Sequence, residues 1–414
     1  MIKDLTAKYL DIWWETPATL HMKNERISFL DKLRNEKGIE NFRKQLFNSL
    51  KKIPNNENEE EDLRKEIFEQ IKAMELNMSN YEESIIDFFI ESGYANITEA
   101  FIDEVKAFDP KMGVYDIFQA IRNVWIMNSI QILFDMEVKL TPSIFSYSML
   151  YPYSDNYLDD SNISAGDKIE FSKKFRRWLT GANDSPSNNM EKNIYDLVMK
   201  IEGEFERKTY PEVFDSLLGI HKAQEQSLLQ QKEKTLPFEK DIIGITFEKG
   251  GTSVLADGYL VRGKLDRVEA EFMFCYGIFL QIIDDLQDID EDAINKHMTI
   301  FSQIYDKYPL DRLISKLMNF IDRFFENENI FNSKEAKELK RVIHDCSSIM
   351  ILEAISKNKD KFSKEYIKEI ESYSIVRFSY FKKIKKKFQR TFSSEDIIRI
   401  CNIMSKGKLE MSKQ

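Results

Sequence analysis

Three aspartates, Asp284, Asp285 and Asp288, close the apolar run "GIFLQIIDDLQD" (277–288). In a helix, residues four apart share a face, so Asp284 and Asp288 project together, with Asp285 adjacent and Gln281 one turn earlier. Like charges so placed repel, and the apolar flanks deny them full hydration. A divalent cation resolves both problems: Mg²⁺ takes one or two carboxylates, keeps some waters and completes its shell with phosphate oxygens. A second cluster, "SDNYLDDS" (154–161), repeats the pattern with Asp155 and Asp159 four apart and Asp160 beside them. Two such pairs facing each other across a cavity would hold a small group of Mg²⁺ ions. The natural ligand of that group is a diphosphate, whose charge several metals neutralise as it leaves. A solvated acidic helix face is the alternative for either cluster taken alone. An EF-hand starting at Asp288 is excluded, because Ala293 stands where its turn needs Gly and Thr299 where a bidentate Glu is required.

Helices must position these groups. The 414-residue chain has only 14 Gly and 9 Pro, and its long runs of Lys, Glu, Leu, Ile and Phe favour helix over many short strands. No stretch reads as a βαβ unit, so the expected class is all-α. "VYDIFQAIRNVWIMNSIQILFDM" (114–136) is apolar on most faces, as a central bundle helix would be, with Trp125 read as core. "KKIPNNENEEEDL" (51–63) reads as a linker, "GANDSPSNN" (181–189) as a loop, and Gly250-Gly251 as a helix break. These landmarks suggest an N-terminal helical extension (1–60), a catalytic bundle (61–310) and C-terminal helices packed on it (311–414). In the extension, Trp13 and Trp14 are expected to dock onto another element.

Charge and composition exclude several classes of function. A net charge of −10 argues against a nucleic-acid partner, which would need a basic face. The three cysteines, Cys275, Cys346 and Cys401, are odd in number and widely spaced, which disfavours a disulfide framework or a zinc site. No apolar run reaches the roughly 18 residues that a membrane-spanning helix needs, and the N-terminus lacks a signal-peptide pattern. A cytoplasmic protein without stable membrane insertion is expected. The basic run "KKIKKKFQR" (382–390) reads as a solvated helix face, with contact to anionic membrane as the alternative.

"GIFLQIIDDLQD" resembles the second aspartate-rich motif of the trans-isoprenyl diphosphate synthases, which runs Gly, three residues, Gln, two residues, Asp-Asp, two residues, Asp. "FEKGGTSVLADGYLV" is similar to that family's lysine-containing segment, and Lys249 would take the diphosphate-binding role. The first cluster departs from the elongating enzymes: it reads DxxxDD rather than DDxxD, and Arg176-Arg177 follow late. In this it looks more like the bacterial large-terpene synthases and, more distantly, the squalene and phytoene synthases. The resemblance covers roughly residues 110–295. It implies a single helical bundle of isoprenoid-synthase type with extra terminal helices, and an allylic prenyl diphosphate substrate. It also implies Mg²⁺ dependence, with three ions when diphosphate is bound. Asp155, Asp159, Asp160, Asp284, Asp285 and Asp288 would carry metal, while Lys249, Arg176, Arg177 and Gln281 would hold the diphosphate. Bundles of this family commonly pair, so a homodimer is expected.

Elongating members bind isopentenyl diphosphate through a Gly-Lys-x-x-Arg segment near the N-terminus. The first 150 residues contain none, and "GKLDR" (263–267) lies just before the second motif, where the family does not place it. The expectation is therefore a class I terpene synthase. A trans-prenyltransferase, chain-elongating or head-to-head, is the alternative, and a non-catalytic helical binding protein is a further one. Tyr147 and Tyr151 lie eight and four residues before Asp155, so an unbroken helix would stack them beside the metal site. Pro152 threatens that continuity. With Phe279 these tyrosines are candidates for the pocket wall, where aromatic faces stabilise cations; plain core packing is the alternative for each. His221, followed by Gln224 and Glu225, is a candidate base or a structural histidine.

Overall fold

The computed structural model describes residues 1–23, 25–76, 78, 85–159, 163–231, 239–326, 330–393, 396, 399–400 and 403. Among them there are only helices and connecting turns, so the fold is all-α. In chain order the α-helices are α1 (Ile2–Glu15), α2 (Phe29–Leu50), α3 (Glu57–Leu76), α4 (Ile85–Glu91), α5 (Tyr94–Phe108) and α6 (Val114–Leu133). Then come α7 (Pro142–Asp159), α8 (Ala165–Leu179), α9 (Asn189–Glu204), α10 (Pro211–Ser227), α11 (Ile242–Arg262) and α12 (Arg267–Gln287). The series ends with α13 (Ile289–Ile294), α14 (Asp311–Phe325), α15 (Lys334–Lys357), α16 (Lys364–Glu371) and α17 (Phe378–Thr391). No helix among the described residues is long and apolar enough to cross a membrane.

The chain forms two compact units, one from Met1–Thr19 and Glu104–His344, the other from Leu20–Asp103 and Asp345–Gln414. In the first unit α11 is the central helix, packing against α12, α10, α1, α6 and α7. Its sequence contains two glycines that would end most helices. Here α11 runs unbroken through Gly250 and Gly251, and the reason lies in α12. A Cβ on Gly277 of α12 would stand 2.0 Å from the Gly250 carbonyl oxygen, and one on Gly250 would stand 2.5 Å from the Gly277 carbonyl oxygen. The two backbones therefore touch where only glycine fits, and the pair is a packing device rather than a break. The helix stops at Gly263, whose φ of 80° is the left-handed conformation that closes helices.

Both α11 and α12 start on carboxylate caps. Asp241 accepts from the Gly244 amide at 2.9 Å. Asp266 and Glu269 form a reciprocal capping box at 2.9 and 2.7 Å. Trp13 of α1 is 1% exposed, with ring contacts to Phe247 and Phe320, whereas Trp14 is 66% exposed. Trp125, expected in the core, is 46% exposed: α6 is apolar on most faces, yet that face lies towards solvent. The expected linker at 51–63 is shorter than its composition suggests, because its acidic block already forms the first turn of α3.

In the second unit, Leu46, Leu50, Leu63, Ile67 and Phe392 belong to one apolar cluster. Glu36 receives a two-pronged contact from Arg377, at 2.8 and 2.6 Å. The basic run at 382–390 lies on α17: Lys387 pairs with Glu40, while Lys382, Lys383, Lys385, Lys386 and Arg390 are exposed.

The glycine contact generates a stability test. Gly277→Ala should destabilise the fold by about 1–3 kcal/mol or more, the usual cost of overpacking, as read from urea unfolding. Gly203→Ala on α9, where an added Cβ meets nothing within 4 Å, should be neutral or stabilising by up to about 1 kcal/mol.

Candidate active site

The close approach of α11 and α12 sets Lys249 beside the acidic end of α12. Lys249, Gln281 and Asp284 line one cavity, together with Tyr147 and Tyr151 of α7 and His221 of α10. Six residues singled out from four separate stretches of sequence thus share one site. The helix α7 continues through Pro152, which keeps Tyr147 and Tyr151 on one face. The cavity measures ≈ 90 Å³, below the roughly 300–1,000 Å³ of most ligand pockets. A larger hollow of ≈ 440 Å³ lies among α1, α12 and α14, lined by Tyr9, Phe272, Cys275 and Phe324 among others. None of the motif residues borders it, so size alone does not locate the chemistry.

The acidic end of α12 is under electrostatic load. Asp285 is 7% exposed, and one carboxylate oxygen, Oδ1, accepts from Gln281 Nε2 at 2.8 Å. The other, Oδ2, is buried without a hydrogen-bond partner among the described residues. Burial, then the charges of Asp284 and Asp288, push the Asp285 carboxyl up to about 7, against the favourable pull of Gln281 and Lys249. Asp292, one turn beyond Asp288, is pushed up to about 8 by burial and by Asp285, Asp288 and Asp284. Asp284 has a cation partner in Arg122 Nη2 at 3.4 Å, but both side chains are largely exposed and such a pair contributes little.

The chemistry of this donor set fits a hard divalent cation, which would satisfy the unpaired Asp285 oxygen and the mutual repulsion together. Among the described residues, however, no three His, Cys, Asp or Glu side chains are already gathered around one ion position. Asp155 and Asp159 belong to the last turns of α7, but their side chains, and Asp160 entirely, lie outside the described residues.

Other expected residues are placed differently. Arg177 pairs with Asp184 at 2.6 Å, Arg176 pairs with Glu225, and neither lines the cavity. The arginine pair therefore serves carboxylates of its own unit in this structure. Phe279 is fully buried and makes tilted ring contacts with Tyr276, Phe324 and Phe325 instead of forming cavity wall. His221 is 1% exposed, and burial, its largest influence, pushes its imidazole below the usual histidine range.

Three polar residues, Asn123, Asp257 and Asp292, were not among the expected site residues. Asn123 of α6 lines the cavity and donates from Nδ2 to Ser148 Oγ and to Asp257 Oδ1, both at 3.2 Å. Asp257 is fully buried, its second oxygen lacks a partner among the described residues, and burial raises its carboxyl well above the ordinary range. The signal was present: Asp257 interrupts the apolar run "SVLADGYLV" as Asp284 interrupts its own. Asp292 likewise stands four residues after Asp288.

Compared with known proteins, the sequence matches no family model and no curated protein. The resemblance to isoprenoid synthases therefore rests on the motif residues alone.

The raised carboxyls predict a pH dependence. A carboxyl whose folded pKa exceeds its unfolded value adds stability below the unfolded pKa, and that stability is lost as pH rises through the folded pKa. Between about pH 4 and the pKa of about 7 at Asp285 and about 8 at Asp292, metal-free protein should lose melting temperature. Asp285→Asn should flatten that slope, and Mg²⁺ should stabilise more at pH 8 than at pH 5, because its ligands must be deprotonated. Thermal melts across this range check both; a slope unchanged in Asp285→Asn would refute the assignment.

Proposed function

We propose that the chain is a Mg²⁺-dependent class I terpene synthase that ionises a linear prenyl diphosphate. The observation that carries this reading is the convergence on one cavity of Lys249, Gln281 and Asp284, from the two segments of specific resemblance, with the aromatic wall of Tyr147 and Tyr151. Asp284, Asp285 and Asp288 would hold metal from α12, with Asp155 and Asp159 as the expected second group. Mg²⁺ bound there would neutralise the departing diphosphate.

The chain's own residues do the rest. Lys249 is the cation that reaches the cavity and would contact the diphosphate as a point charge. Arg122, beside Asp284, is a second cation at the same carboxylate group. Gln281 orients Asp285 through its amide. Tyr147 and Tyr151 offer aromatic faces to a cation, worth up to about 2 kcal/mol each when desolvated. Leu150, Leu217 and Ile220 add apolar patches to a wall that also carries Asn123, Ser154, Gln224 and Ser253. At ≈ 90 Å³ the cavity must widen to admit a prenyl chain, so substrate entry moves the wall.

The decisive assay incubates full-length protein with Mg²⁺ and each of the ten-, fifteen-, twenty- and twenty-five-carbon prenyl diphosphates, with and without isopentenyl diphosphate. A hydrocarbon or alcohol is expected without isopentenyl diphosphate. Asp284→Asn with Asp288→Asn should cut turnover by about 100-fold or more, beyond the roughly 10–100-fold cost of losing a metal ligand's outer-shell partner. A longer diphosphate formed only with isopentenyl diphosphate would make the chain a prenyltransferase. No turnover, with no rise in melting temperature on adding Mg²⁺ and pyrophosphate together, would leave a non-catalytic binding protein.

A further inference from the structure

The wall of the cavity contains a histidine whose hydrogen bonds leave one ring nitrogen unused. His221 of α10 sits against the edge of Phe175, ring centroids 5.0 Å apart. Its Nε2 lies 3.2 Å from the Ser172 carbonyl oxygen and 3.2 Å from Ser172 Oγ. Its Nδ1 is buried and has no hydrogen-bond partner among the described residues. A buried acceptor left in this way is uncommon in folded proteins and calls for an explanation.

The partners decide the tautomer. A carbonyl oxygen can only accept, so Nε2 must carry the hydrogen that joins it to Ser172. The serine hydroxyl gives the same answer. Its single proton goes to the Glu225 carboxylate, which also can only accept, so Ser172 Oγ has no proton left for the imidazole. Arg176 holds Glu225 from the other side. Burial keeps the ring neutral near pH 7, with Arg176 acting in the same direction and Glu225 opposing. A neutral imidazole protonated on Nε2 has its lone pair on Nδ1.

We infer that His221 is the proton acceptor of this cavity, and that Ser172, Glu225 and Arg176 are positioning residues that hold its Nδ1 unprotonated. This deepens the proposed terpene synthase activity and rests on it. When the diphosphate leaves with the C–O electron pair, it leaves a carbocation. Loss of a proton from the neighbouring carbon turns the C–H electron pair into a new C=C bond, and the proton passes to Nδ1. The resulting imidazolium keeps its Nε2–H bond to Ser172 and has Glu225 Oε1 3.7 Å from Nε2 as counter-charge. It then returns the proton to the released diphosphate or to solvent, and the neutral base is restored. The product class follows: an alkene, rather than an alcohol formed by water capture.

Two readouts test this. The protein has four histidines, so long-range ¹H–¹⁵N spectra of the full-length labelled protein, assigned with His221→Gln, report the state of each ring. At pH 7 His221 should be neutral with hydrogen on Nε2, and Glu225→Gln should raise the Nδ1–H population by freeing the serine proton. A charged ring, or hydrogen on Nδ1 in the unaltered protein, would overturn the inference. In the product assay His221→Gln should lower the ratio of alkene to alcohol by about tenfold or more per diphosphate released, a modest share of what general bases contribute. An unchanged ratio would also overturn it. Failure of the unaltered protein to release diphosphate from any prenyl substrate would instead sink the ionisation reading, with the tautomer still judged by the spectra.

Discussion

The contact between Gly250 and Gly277 is the constraint on which the site depends. Helix axes normally pack 8–10 Å apart because side chains fill the gap. Here two backbones meet with no side chain between them, since a Cβ on either glycine would collide with the other's carbonyl. Lys249 precedes Gly250, and Gln281 stands one turn after Gly277, so the contact fixes how near the lysine comes to the aspartates. A methyl group at this point would separate the helices and weaken the pull of Lys249 on Asp285. A packing feature thereby becomes an electrostatic one.

That nearness matters because the first unit buries more carboxylate than it neutralises with cations. Asp285 and Asp257 are both buried, each with one oxygen unpartnered among the described residues, and the few hydrogen bonds they accept come from the amides of Gln281 and Asn123. An amide donor favours the charged form only modestly, and burial outweighs it at both positions. A fold selected for stability alone would do better with apolar residues there. Retaining acids at such cost is what functional sites do, where perturbed carboxyls concentrate.

The helical class and the α12 motif were legible because both are periodic: apolar residues at helical spacing mark a packed face, and carboxylates four apart share one. Gly250-Gly251 was misread because a glycine pair spells a break in any single helix; only the partner helix shows that the missing side chains are needed. Trp125 was misplaced, and Phe279 took its core alternative rather than the pocket wall, for a related reason. Periodicity places a residue on a stripe, but which neighbour covers the stripe is decided by other segments. Arg176 and Arg177 looked like a phosphate clamp, yet Glu225 and Asp184 take them, a long-range choice of partner that spacing does not encode. Nor could a linear reading find that each unit is assembled from segments far apart in the chain.

The diversion of the arginines shapes how the site would meet an anion. Lys249 and Arg122 are two cations near the end of α12, set against Asp284, Asp285, Asp288 and Asp292. A diphosphate approaching this group of acids finds little surplus positive charge to hold it unless more arrives with it. A divalent ion approaching the same carboxylates finds two of them holding protons near neutral pH, because burial and mutual repulsion raise Asp285 and Asp292. Each ligand is therefore poorly accommodated alone. Bound together, the cation displaces those protons and the anion completes its shell. On the proposed function, this coupling would keep the carboxylates from trapping metal idly and would assemble the ionising site only around its substrate.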